Sequence, residues 1–224
     1  MTEHPKRLID VLRNPAQLLK LLGEYFSFDR WRRQEPINDR DSLKQFLNTR
    51  ASFVGQFSLY GYLRTRAGMR YPELFDDDPF VVSINIAKWH VWLACLSDLA
   101  VYTGGFLFHQ PGASEEDVSR LMQQVVDEIL DETGVPDEAG KEFSAHAGEV
   151  RKRVANCRWH AITDDEAPFS QSPDALVHWA PIVKDLKEVD EDIVKNSIRF
   201  RWQKVRRDLR HLMDADALFR ATTS

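Results

Sequence analysis

The longest apolar stretch of the chain extends from Asp78 to Gly105 and predicts a helix over residues 79–103. Pro79 stands where the first helical turn tolerates proline, and the acidic residues before it favour a helix N-terminus. Gly104 and Gly105 predict the end of the helix. At about 1.5 Å per residue, its length also suits a bilayer core of about 30 Å. A transmembrane helix is therefore an alternative that has to be weighed.

Polar residues inside this stretch favour a buried helix over a transmembrane one. Asn85, Lys88, His90 and Asp98 all lie within it, and a charged side chain at the bilayer centre costs about 3 kcal/mol or more. Lys and Arg are not concentrated on one flank of the stretch, as membrane topology signals usually are. A helix that is apolar on all sides is typically the centre of a larger bundle. We predict a buried central helix and no transmembrane span.

Apolar residues at three- and four-residue spacing predict further helices on both sides of the central one. The predicted segments are short N-terminal helices at 6–12 and 15–26, then helices at 42–67, 114–133 and 137–160, one that restarts at Ser172 and is interrupted by Pro181, and one at 190–213. No segment shows the sustained alternation of apolar and polar residues that a half-buried strand requires. The sequence therefore predicts an all-α fold, a helical bundle of about six or seven helices around residues 79–103.

Chain length favours one main domain with shorter segments at its ends. The chain has 224 residues, and apolar residues make up 43% of them, which is enough for a sizeable core. We predict an N-terminal helical arm and linker over residues 1–40, the helical bundle over 41–214, and a loose C-terminal tail over 215–224.

Charge and cysteine content narrow the class of protein. The formal net charge of -5 disfavours a general nucleic-acid-binding protein. Cys95 and Cys157 are too few for a disulfide framework and favour reduced thiols in a reducing compartment. The N-terminus is charged and lacks the apolar core of a signal peptide. We therefore expect a cytoplasmic protein, with peripheral association at the membrane left open.

The predicted final helix carries positive charge on an amphipathic framework, which indicates a docking function. Trp202 lies on its apolar stripe, and its basic residues are Arg199, Lys204, Arg206, Arg207 and Arg210. A second basic and aromatic group is formed by Arg30, Trp31, Arg32 and Arg33. A basic amphipathic helix can bind an anionic membrane surface or an acidic partner. Alternatively, its stripe packs on the bundle and its arginines pair with acidic residues of the same chain.

The leading hypothesis is a non-enzymatic interaction or assembly protein, which docks an acidic protein partner or the cytoplasmic membrane surface through this helix. The alternative is a helical-bundle enzyme, or a protein that binds a small ligand or a metal, with a pocket on the central helix. Its candidate residues are Arg50, Tyr60, Lys88, His90 and Asp98. Arg50 lies on an apolar helix face and needs a partner there, for which Asp98 is the expected residue. No Gly-x-Ser-x-Gly motif is present, so a serine hydrolase is not favoured.

One group of residues has the spacing of metal ligands. Glu142, His146 and Glu149 follow one another at four and three residues, which places them on one helix face. Carboxylate-bridged bundles use a Glu-x-x-His pair on each of two helices, and the sequence has no second copy. Cys157 and His160 form a half-site of the same incomplete kind. We therefore predict neither a bound metal nor another cofactor.

Overall fold

The computed structural model describes residues 35–223, and these form an all-α bundle, as the sequence predicts. Within the described residues no strand forms, and one isolated backbone bridge joins Ile37 to Met213. The predicted helices at 6–12 and 15–26 lie outside the described residues. The helices, numbered in chain order, are α1 (Arg40–Ala67), α2 (Asp78–Phe108), α3 (Glu115–Thr133), α4 (Phe143–Ala155), α5 (Gln171–Trp179), α6 (Lys184–Leu212) and α7 (Ala215–Thr223).

Helix α2 is the centre of the bundle. It packs against α1, α3, α4 and α5, and almost every residue from His90 to Gly105 is buried. In the described part of the chain, α2 is the one helix long and apolar enough to cross a membrane by length and composition. Most of its apolar window is buried by the other helices. The central position predicted for this helix is therefore observed.

The prediction that Gly104 and Gly105 end the central helix is wrong. The helix continues to Phe108, and both glycines lie in its interior. A Cβ atom on Gly104 would lie 2.3 Å from the Trp159 ring, and one on Gly105 would lie 2.2 Å from Ile162. These glycines therefore allow two large side chains to approach the backbone of α2, instead of providing a left-handed stop.

Helices α1 and α3 begin and end close to the predicted positions, and each begins with a capping side chain. The Asp39 side chain accepts a hydrogen bond from the Ser42 backbone, and Ser42 bonds back to the N-terminal cap. Ser114 caps α3 in the same way by accepting from the Asp117 backbone N–H. At the other end, Gly68 and Gly134 take positive φ angles that suit glycine.

The C-terminal part of the chain differs most from prediction. Helix α6 begins at Lys184, six residues before the predicted start at Asp190, because the break ends at Val183. Asp190 pairs with Arg66 of α1 and accepts from a tyrosine hydroxyl. Residues 215–223 form α7 in place of a loose tail, since Leu218 is fully buried.

Candidate interaction surface

Asp98 is the most completely buried charged group of the central helix. Its carboxylate accepts from Arg153 of α4 at 2.7 Å and from the backbone N–H groups of Ser172 at 2.7 Å and Gln171 at 3.2 Å. Burial raises the pKa of Asp98, although Arg153 acts in the opposite direction. This network joins α2, α4 and the start of α5, which is a structural role.

The predicted pairing of Arg50 with Asp98 is wrong. A guanidinium nitrogen of Arg50 lies 3.7 Å from a carboxylate oxygen of Asp208 in α6. The cation also lies over the ring of Phe46, 5.5 Å from its centroid. Helical periodicity places Arg50 on a buried face, but it does not specify which of the neighbouring helices meets that face. The residue that pairs with Asp98, Arg153, lies on α4.

His90 is held in a neutral form by its surroundings. Its Nε2 lies 3.1 Å from the carbonyl oxygen of Ala139, so that nitrogen donates, and its Nδ1 accepts from His146 Nδ1 at 2.8 Å. The Trp179 ring stacks on the imidazole at 3.8 Å. Burial, together with His146, lowers the pKa of His90 to about 4, against an opposing effect of Glu142. His178 of α5 is a further neighbour that lowers it.

The other candidates for a ligand pocket lie apart. Lys88 pairs with Glu138 at 3.1 Å, while burial raises the pKa of Tyr60 within α1. Lys88, His90 and Asp98 are thus held by separate sets of partners. An open groove of about 400 Å³ lies between α5 and the start of α6, and none of the five pocket candidates lines it.

The metal candidates Glu142, His146 and Glu149 are not directed at a common point. Glu149 pairs with Lys152 at 2.7 Å, while His146 faces His90. Among residues 35–223, no group of three or more His, Cys, Asp or Glu side chains is arranged to hold a metal ion. In the predicted half-site, burial raises the pKa of the Cys157 thiol to about 11, and His160 faces Glu115 at 4.0 Å.

Several of the basic residues predicted to bind a partner are engaged within the chain. Asp164 accepts from Arg206 at 2.9 Å, from Arg210 at 2.8 Å and from the Tyr102 hydroxyl at 2.7 Å. Partial burial acts to raise the pKa of Asp164, but the hydrogen bonds from Tyr102 and Arg206 hold it below its ordinary value. Lys204 pairs with Asp208 at 3.0 Å. The sequence did not indicate Asp164 as an anchor, because it lies in an irregular loop.

Trp202 is a core residue and not a surface contact. Its side chain is 1% exposed, and its indole N–H donates to the Ser172 hydroxyl at 3.0 Å. The guanidinium of Arg199 donates to the side-chain oxygen of Asn196 at 3.2 Å. Arg207 is exposed. The remaining predicted contacts, Arg30, Trp31, Arg32 and Arg33, lie outside the described residues.

Helix α6 has a second apolar line on the side that faces away from the bundle. Val189, Ile193 and Phe200 are 75%, 73% and 71% exposed, and Leu186 is 40% exposed. At about 100° of rotation per residue, the four side chains fall within a sector of about 60°. We call this line the outer seam (Leu186, Val189, Ile193 and Phe200). Sequence reasoning missed it because the helix was expected to begin at Asp190, which removes the first two members.

Charge is distributed unevenly along α6. In residues 184–192 five acidic residues outnumber two lysines, whereas residues 195–212 contain seven Lys or Arg and one Asp. Asp185, Glu188 and Asp192 are exposed beside the first half of the outer seam. Helix α6 as a whole therefore has an acidic beginning and a basic end, and Asp190, Arg206 and Arg210 are among the charged residues that pair with other parts of the bundle.

Comparison of the chain with protein-family models, with curated proteins and with solved structures finds no match. A function is therefore inferred from the residues and geometry of this chain alone. The fold defines an all-α bundle whose central polar residues are used in structural contacts, and whose sixth helix exposes an apolar seam.

Proposed function

We propose that this chain is a non-enzymatic interaction or assembly protein that docks a protein partner through the outer face of α6. The observation that supports this most directly is the exposure of Val189, Ile193 and Phe200 on one line of the helix. Single exposed apolar residues are common on protein surfaces, but several of them along one helix face are typical of a binding surface. Anchors at three- and four-residue spacing are the usual way in which one helix contacts a partner.

The size of the outer seam sets what such an interaction requires. Burying one fully exposed side chain of this kind is favourable by about 1.5–3 kcal/mol, so four provide at most roughly 6–12 kcal/mol. Association costs about 4–15 kcal/mol in lost rotational and translational freedom. A partner must therefore add polar contacts beside the seam, where Asp185, Asp192 and Arg207 are exposed.

A protein partner fits this face better than an anionic membrane does. The exposed acidic residues Asp185, Glu188 and Asp192 beside the seam would be repelled by anionic lipid. Arg206 and Arg210, which a membrane-binding helix would direct outward, are paired with Asp164.

Cys95 and Cys157 are free thiols, which supports the proposal that the protein works in the cytoplasm.

The alternative of an enzyme or ligand-binding protein is less well supported. It requires several of Arg50, Tyr60, Lys88, His90 and Asp98 to converge on one cavity. Lys88, His90 and Asp98 instead have separate partners, and each partner joins α2 to a neighbouring segment.

Site-specific photo-cross-linking tests the proposed function. In one full-length variant a photoreactive amino acid replaces Phe200. In the control variant it replaces Met69, which lies outside α6 and is 98% exposed. We expect cells to give one defined protein adduct from position 200, which is lost when Ile193→Asp is added. Equal adduct patterns from positions 200 and 69 would contradict the proposal.

Vesicles containing anionic lipid distinguish the membrane alternative. We expect the wild-type chain to remain in the supernatant on co-sedimentation, because the acidic half of α6 opposes binding. Binding that rises with the fraction of anionic lipid, and that Phe200→Asp removes, would identify a membrane surface as the partner and would overturn the protein-docking proposal.

A further inference from the structure

We infer that the outer seam of α6 binds the outer seam of a second copy of this chain, with the two helices antiparallel. The inference rests on the proposed function, because it names the partner of the same docking surface. Three observations carry it: the spacing of the seam, the charge distribution along α6, and the residues that flank the centre of the seam.

The seam has the spacing of a helix-to-helix contact. Leu186, Val189, Ile193, Asn196 and Phe200 follow one another at intervals of three, four, three and four residues. This is the spacing at which the side chains of two paired helices interlock. A polar residue such as Asn196 within such a line specifies the register of the two helices, at some cost in the stability of the pair. The line extends over about 21 Å of helix. A second helix with the same spacing therefore fits this face.

The charges of α6 favour an antiparallel second copy. Acidic residues predominate before Ile193 and basic residues predominate after it. Two parallel copies would place acidic halves side by side and basic halves side by side, which is unfavourable. Two antiparallel copies centred on Ile193 place the acidic residues 184–192 of one chain against residues 194–202 of the other, where the charged residues are Lys195, Arg199 and Arg201. The helix is thus complementary to itself in one orientation.

The centre of the seam defines the register. With a two-fold axis at Ile193, this residue faces its own copy, and Leu186 of one chain faces Phe200 of the other. The same register brings Glu188 of one chain to nearly the same height along the helix pair as Arg199 of the other, on the same side of the pair. Glu188 is exposed and lies 3.6 Å from Lys184, and Arg199 is half-exposed and donates to Asn196, so both side chains make their contacts at the surface of α6 itself. A two-fold pairing makes each contact twice, as symmetric dimers do.

The length of the seam indicates a dimer of moderate affinity. Four side chains per chain, with a polar Asn196 between them, form a contact smaller than that of most permanent dimers. We expect a Kd in the micromolar range. Ile193→Asp places two carboxylates against each other at the axis, so we expect it to weaken the dimer by about 100-fold or more.

Sedimentation equilibrium of the full-length chain tests the inference. The wild type is expected to pass from 26.0 kDa towards twice that mass as its concentration increases through the micromolar range. Ile193→Asp is expected to remain at 26.0 kDa. The matched control is Met69→Asp with Val135→Asp, which changes two exposed apolar residues outside α6 in the same way. It should dimerise as the wild type does, and circular dichroism verifies that each variant is folded.

A pair of charge reversals tests the antiparallel register. Glu188→Arg alone opposes two cations, and Arg199→Glu alone opposes two carboxylates, so each variant should dimerise at least about tenfold more weakly than the wild type. An equimolar mixture of the two restores both attractive contacts, and its dimerisation should return. Weakened single variants without recovery in the mixture would overturn the register.

Failure of this inference can be distinguished from failure of the proposed function. A purified chain that stays monomeric at all concentrations overturns the second copy as the partner. If such a chain still gives an adduct with a different protein at position 200, the docking surface stands with another occupant. If the adduct lies within residues 15–26 of the same chain, the seam is covered internally, and both proposals are wrong.

Discussion

Removal of the Asp98 carboxylate should destabilise the bundle more than any other single loss of charge. Asp98 is fully buried and accepts from Arg153, Ser172 and Gln171, whereas the Arg153 side chain is 21% exposed. In Asp98→Asn, the amide cannot accept from all three donors, and the guanidinium loses its counter-ion. Breaking a buried pair in this way costs about 3–5 kcal/mol.

The double-mutant cycle with Arg153→Met gives the magnitude of the coupling. Arg153→Met leaves the carboxylate with its two backbone donors, so we expect a loss of about 2–4 kcal/mol. Burial is unfavourable for the charge of Asp98 even when it is paired. The double variant should therefore lose about 2 kcal/mol less of its free energy of unfolding than the sum of the losses in the two single variants.

Urea unfolding at pH 7, followed by circular dichroism, measures these free energies. Glu149→Gln is the control, since the ion pair of Glu149 with Lys152 is largely exposed and should contribute less than about 0.5 kcal/mol. The interpretation of Asp98 as a structural residue is refuted if Asp98→Asn costs less than about 1 kcal/mol, or if the two losses are additive.

Two further outcomes follow from the contacts of α2. His90 has a pKa of about 4 in the folded chain, against an ordinary value of 6.5. The stability contributed by its neutral form is therefore complete above about pH 6.5 and is lost as the pH falls towards 4. Between pH 7 and pH 4.5, urea unfolding should show that this group lowers the free energy of unfolding by about 2–3 kcal/mol. His90→Gln should show a correspondingly smaller decrease, and an equal decrease in both proteins would contradict this assignment. Gly104→Ala should destabilise the fold by about 1–3 kcal/mol, because its Cβ meets the Trp159 ring. Gly148→Ala has open space around the added methyl group and should stabilise α4 by up to about 1 kcal/mol. Equal effects of the two substitutions in thermal unfolding would refute the close-approach explanation for Gly104.

The helices were predictable wherever a local signal marks their limits. Ser114 and the acidic residues after it marked the start of α3 in the sequence, and the central helix is recognisable from its apolar length. The cap that Asp39 forms with Ser42 was not predicted. Gly104 and Gly105 misled the prediction because a glycine that admits a neighbouring ring has the same sequence signature as a glycine that ends a helix.

The partners of buried charges were not predictable in the same way. Asp98 pairs with Arg153, which is 55 residues away in the chain, and helical periodicity gives only the face on which a residue lies. The residues proposed for docking were also not identified from periodicity alone. Trp202 falls on the core stripe and is buried, while the exposed Val189 and Phe200 form a second line on the opposite face. That line was present in the spacing of the sequence, but the late predicted start of α6 concealed it.

The identity of the peptide cross-linked to position 200 tests the central claim most directly. If the outer seam pairs with its own copy in antiparallel order, a photoreactive residue at position 200 forms an adduct with the peptide around Leu186 of a second chain. Mixing isotopically labelled and unlabelled chains establishes that the adduct is intermolecular. An adduct yield no greater than that from position 69, or a linked peptide far from Leu186, would contradict the account.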